Sequence, residues 1–179
     1  SWRCEAMAIR PPARLHASPS KSGNEPPAHS LPPARKRAAA LSAARLGAQT
    51  ALITDRPVLG GSASSEIRVT PSGADTPLCN RFARETGIME EMSLRLAHKT
   101  HRSGIWRWIY YDELYFDMVT AEPNLRFFLN TTIYRCTCDR PGRIHSVEGI
   151  QLRSEKTIEF VGSTFIDCSG DGVIGFLSG

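Results

Sequence analysis

Asp55 ends a short apolar run, residues 49–54, that reads QTALIT. A carboxylate at the carboxyl end of a buried strand can accept bonds from both hydroxyls of a ribose, and α/β folds bind nucleotides at that end. An aspartate before Arg56-Pro57 can equally cap a turn. Gly60 and Gly61 follow, and then Ser62, Ala63, Ser64 and Ser65. Without Cβ atoms, backbone amides can approach a phosphate or a flat ring closely. The competing reading is a flexible surface loop. Glu66 and Arg68 are two positions apart, so an extended segment over residues 66–70 would turn both to one face. There they would form a plain surface ion pair. Beside a bound group, Arg68 would instead face negative charge.

The second cluster is TFIDCSGDG, residues 164–172. A buried strand that runs into Gly170-Asp171-Gly172 brings the Asp171 carboxylate to a sheet edge, where it can accept bonds from a polyol. An ordinary glycine-rich turn is the alternative. Asp167, inside the apolar strand, is an oddity, because a buried acid needs donors. Cys136 and Cys138 share a strand face, but no second ligand pair has zinc-site spacing, so no metal site is expected. Trp106, Trp108, Tyr110, Tyr111 and Tyr115 would line a substrate cleft or, more commonly for aromatics, pack in the core. No role falls to His98 or His101.

The elements that must position these residues follow from periodicity. Residues 37–46 (RAAALSAARL) are strong helix formers, and Gly47 stands where a left-handed cap is wanted. Helix, glycine and buried strand make the second half of a βαβ unit. Residues 81–99 and 108–121 predict two further helices, with Gly87 weakening or dividing the first. Residues 125–129 (LRFFL) predict a buried strand. The period then changes to two: residues 132–138, 145–152 and 157–161 read as short strands, with Arg140-Pro141-Gly142-Arg143 as a tight turn.

The first 34 residues stand apart. They hold seven of the twelve prolines and little hydrophobic content. Such a segment cannot offset its ordering entropy by burial, so regular structure is not expected there. The division expected is a tail over 1–35 and a domain over 36–179. Residues 1–37 carry seven basic and two acidic groups against an overall charge of +4, so the basic excess belongs to the tail. A nucleic-acid surface on the domain is therefore not expected. No apolar run has membrane-spanning length, and no signal-peptide core opens the chain. The five cysteines are read as reduced thiols of a cytoplasmic protein.

Three stretches together resemble the FAD-dependent oxidoreductase family with a glutathione-reductase-like FAD domain. They are RAAALSAARLGAQTALITDRPVLGGSASSEIRV, RFARETGIMEE and TFIDCSGDGVIGFLSG. The resemblance covers residues 36–179 and is carried most specifically by 55–61 and 165–172. It implies an α/β, Rossmann-like FAD-binding domain: a parallel sheet with a β-meander crossover over residues 132–161. It implies FAD as cofactor, held by Asp55, Arg56, Gly60, Gly61, Ser62, Arg68, Gly170 and Asp171. Within that set, Asp55 would bind the adenosine ribose, and Gly60 and Gly61 would pass under the cofactor. Gly170 and Asp171 would lie near the pyrophosphate or ribityl chain. It implies hydride transfer between a small-molecule substrate and the flavin; catalytic residues and oligomeric state stay undefined.

The chain departs from that pattern before the first helix. Members of the family open with an apolar strand and a Gly-X-Gly-X-X-Gly turn. Residues 31–36 here are Leu-Pro-Pro-Ala-Arg-Lys, with no glycine and two prolines that lack amides. Lys36 and Arg37 would offer only point charges. The expectation is an incomplete fragment lacking the first strand and the substrate domain. Residues 4–9 (CEAMAI) are the only upstream apolar run, and they are not expected to fill the gap. The alternative function is a non-catalytic remnant of the fold that does not bind FAD.

Overall fold

The computed structural model describes residues 5–10, 34–69, 71, 85–100 and 109–179. Expectations for the rest of the tail, and for Trp106, Trp108 and His101, lie outside the described residues.

The described residues form two sheets. A four-stranded sheet has the order β3-β2-β1-β7, from β1 (Glu5–Arg10), β2 (Gln49–Thr54), β3 (Leu125–Phe128) and β7 (Thr164–Asp167). A three-stranded antiparallel meander is made of β4 (Thr131–Arg140), β5 (Arg143–Gln151) and β6 (Lys156–Val161). Among the described residues, four α-helices accompany them: α1 (Ala34–Arg45), α2 (Gly87–Thr100), α3 (Ile109–Thr120) and the short α4 (Val173–Ser178).

The strands of the four-stranded sheet alternate their faces, as period two demands. Leu52, Leu125, Phe127 and Ile166 pack with Leu41 and Ala44 of α1, Met92 and Leu96 of α2, and Leu114 and Met118 of α3. Their neighbours Ile53, Phe128 and Phe165 pack against Ile133, Val147 and Phe160 of the meander and Ile174 of α4. The result is three layers: helices, sheet, meander. Arg45, in the last turn of α1, ties the helical layer together through Glu91 of α2 at 2.6 Å and Glu122 just after α3 at 2.5 Å. Bonding to Arg45 holds the Glu91 carboxyl below the usual carboxylate range.

Most predicted elements form with shifted ends. The helix predicted from Arg37 starts at Ala34, and the helix predicted from residue 81 starts at Gly87, whose φ is +64°. The meander turn falls at Pro141-Gly142, with Gly142 at φ +73°.

Three expectations are corrected. The first strand is not missing: Glu5–Arg10, within the segment expected to lack regular structure, pairs with both β2 and β7. Without it those two strands would leave facing rows of unpaired amides and carbonyls, and this is the upstream apolar run free of proline. The sheet is also not wholly parallel. β2 and β3 are parallel, but β1 runs antiparallel to both of its neighbours. Finally, residues 66–69, the described part of the strand expected over 66–70, form no strand. Ile67 and Arg68 donate their amides back to the Ser64 carbonyl, making a turn, and Arg68 sits at φ +65°.

Candidate functional site

β1 pairs Glu5 with Thr54 on one side and Ala6 with Asp167 on the other. Since β1 is antiparallel to each, β2 and β7 point the same way and end on one edge of the sheet. Two strand spacings separate them, about 10 Å. Asp55, one residue beyond β2, and the Ser169–Gly172 loop, just beyond β7, therefore share that edge. A groove of about 290 Å³ lies at the amino ends of β2 and β3, lined by Gln49, Thr50, Arg126, Phe128, Glu159 and Phe160 among others. It contains none of the predicted site residues.

The loop after β2 is tucked into the protein. Gly60, Gly61, Ala63 and Ser64 are buried, Asp55, Arg56 and Ser62 half-buried. Gly61 takes φ +53°, and a Cβ on Gly60 would come within 2.3 Å of the Ser64 Cβ and 2.5 Å of its Cα. The two glycines thus let the loop fold on itself: Ser64 Oγ donates to the Gly61 carbonyl at 2.6 Å and accepts from the Glu66 amide. Two helices hold the loop from outside. Arg37, 2% exposed in the first turn of α1, donates to the Leu59 carbonyl. Its guanidinium lies 3.7 Å from the centre of the Tyr115 ring of α3. Burial pushes the Tyr115 hydroxyl up to about 12, against a smaller opposing pull from Arg37. Asp112 of α3 accepts bonds from the Ser65 amide and hydroxyl.

Glu66 pairs with Arg56 at 3.3 Å, so the ion pair expected with Arg68 forms with a different arginine. Arg68 Nε instead donates to the Ser65 carbonyl at 3.1 Å.

The loop after β7 is held locally. Asp167 Oδ1 accepts from the Ser169 amide at 2.8 Å, and Oδ2 from the amides of Ile174 at 2.8 Å and Gly175 at 3.3 Å. Ser169 Oγ accepts from the Val173 amide at 3.0 Å. The half-buried Asp167 carboxylate therefore takes its donors from Ser169 and from the first turn of α4, a capping arrangement. Gly172 turns the chain at φ +64°, and Gly170 and Asp171 project outward, exposed.

The strand directions thus set Asp55 and the turn after β7 on one edge, and the Gly60–Ser62 loop follows Asp55 in the chain. Sequence reasoning missed the residues that hold that edge: Asp112, and Asp167 as a cap. An aspartate closing a strand a few residues before a short apolar helix is the signal that would have found the second. Asp112 carries no comparable local signal, because its partner lies on another element.

The described residues thus form a three-layer α/β unit in which the chain leaves β2 and β7 on one edge. Residues 37–179 match the family model described as FAD dependent oxidoreductase, and the chain belongs to that family. Neither the curated proteins nor the solved structures contain a match to it. Among the described residues, no helix is long and apolar enough to cross a membrane.

The residues fit one end of FAD and not its middle. Asp55 closes a strand at the edge, in the position a ribose-binding carboxylate needs. Among the described residues, the diphosphate finds no corresponding cradle. The space beside Gly60 is taken by Ser64, and the first amides of α4 are taken by Asp167 and Ser169.

Proposed function

We propose that this chain is the nucleotide-binding portion of an oxidoreductase that acts on a small-molecule substrate, and that Asp55 takes the ribose of the adenosine end of FAD. FAD, when bound, supplies hydride transfer between substrate and flavin. The chain's own part is to bind and orient. Asp55 accepts the ribose hydroxyls, Gly60, Gly61 and Ser62 wall the same edge, and Gly170 and Asp171 flank it from the β7 side. Arg56, paired with Glu66, fixes the turn behind Asp55. The observation that supports this reading most is the shared edge: β2 and β7 end side by side, one strand apart. The test is titration of FAD by flavin fluorescence with the chain and with Asp55→Ala. Loss of a charged hydrogen bond is expected to weaken binding by about 1.5–3 kcal/mol. An affinity unchanged by the substitution overturns the assignment.

A second reading, a non-catalytic remnant that keeps the fold without FAD, is favoured by one observation. The central strand runs opposite to its neighbours. A chain that neither quenches added flavin nor carries flavin colour after purification would support it.

A further inference from the structure

We infer that this edge recognises a nucleoside, and that the diphosphate of a dinucleotide adds nothing to its affinity. The inference rests on the assignment of the ribose to Asp55 and specifies which part of the cofactor is recognised.

Where a nucleotide site is built on parallel strands, the turn after the central strand opens straight into a helix, and the first amides of that helix face the phosphates. Here the central strand is reversed. Its amino end, Glu5, stands beside Thr54 at the Asp55 edge, and its carboxyl end, Arg10, pairs with Gln49 at the opposite edge. The turn that would cradle phosphate therefore cannot spring from β1 at this edge. The two residues before α1, Pro32 and Pro33, have no amide hydrogens to offer. Arg37, in the first turn of α1, is buried against Tyr115 and donates to the Leu59 carbonyl.

Among the described residues, the other amides at this edge are occupied by the chain itself. Close approach of a ligand at Gly60 is pre-empted by Ser64, whose backbone nitrogen lies 2.7 Å from the place of a Cβ. The amides of Ser169, Val173, Ile174 and Gly175 already donate to Asp167 and Ser169.

Charge acts in the same direction. Among the described residues, Asp55, Asp167 and Asp171 lie at this edge and the nearby Arg56 is offset by Glu66, while Arg68 keeps its charge but has its Nε anchored on the Ser65 carbonyl. A diphosphate brought here meets carboxylates of its own sign, whereas a neutral ribose meets acceptors that match its hydroxyls.

The experiment is calorimetric titration of the full chain with adenosine, ADP and FAD at low and high salt, repeated with Asp55→Asn. Dissociation constants for the three ligands are expected to agree within about threefold. The substitution should weaken all three alike, by about tenfold, as loss of a charge-assisted bond does. ADP or FAD binding about a hundredfold tighter than adenosine, with an affinity that falls as salt rises, would overturn the inference and leave the ribose assignment standing. Binding indifferent to Asp55→Asn, or no adenosine binding by a chain with native circular dichroism, overturns the ribose assignment and the inference with it.

Discussion

The loop after β2 and the loop after β7 leave the same edge of the sheet and are built from the same kinds of residue, yet they are held in opposite ways. The first depends on distant elements: Arg37 from α1 and Asp112 and Tyr115 from α3. The second depends on its own flanks, with Asp167 and Ser169 receiving amides no more than eight residues away. Composition alone does not separate them. Glycine and serine permit a tight path, but burial of the path decides whether it is rigid. A loop locked by long-range contacts reports on the integrity of the whole helical layer; a loop capped locally reports on α4.

That contrast predicts a graded set of losses. The largest is expected from Arg37→Met, which keeps volume but leaves the Leu59 carbonyl without its buried donor and Tyr115 without its cation. Denaturant unfolding should show a loss of about 2–4 kcal/mol. A smaller loss would mean that the first loop is held by its own packing, and the contrast fails. Next come two glycines compared directly. Gly60→Ala forces a Cβ into the backbone of Ser64 and should cost about 2–3 kcal/mol. Gly172→Ala meets nothing within 4 Å and should cost only the left-handed conformation, about 1–2 kcal/mol. The smallest effect is expected from Asp167→Ala. Removing the cap should cost about 1 kcal/mol and raise amide exchange in α4 alone, leaving residues 58–69 as protected as before. Exchange spreading to the first loop would show the two to be coupled.

The sequence was most readable where the determinants are local. Period-two alternation gave the meander, and Pro141-Gly142 gave its turn. Gly47 marked the end of α1, and the apolar runs gave β2, β3 and β7. Asp55 and the Gly170-Asp171 turn could be placed on a common edge because two strands of one direction must end together. Two things were not readable. The direction of β1 leaves no trace in hydrophobic pattern, since EAMAI reads the same as a parallel or an antiparallel partner, and the prolines that follow argued against any strand nearby. The partner of Glu66 was also out of reach. Its spacing to Arg68 suggested one pair, but the turn at Ser64 carries Arg68 away and leaves Arg56 facing it.

The placement of β1 has a consequence for how the molecule assembles. Its two neighbours lie far apart in the sequence, β2 at Gln49–Thr54 and β7 at Thr164–Asp167. Contacts of such wide separation close late, because the entropy of a long loop is lost before the pairing returns it. During synthesis β1 and β2 are available long before β7 exists. Until β7 emerges, one side of the central strand presents unpaired amides and carbonyls to any other extended chain nearby. A strand made more than a hundred residues after β1 is therefore the one that shields it, and the nascent chain is exposed to aggregation through that interval.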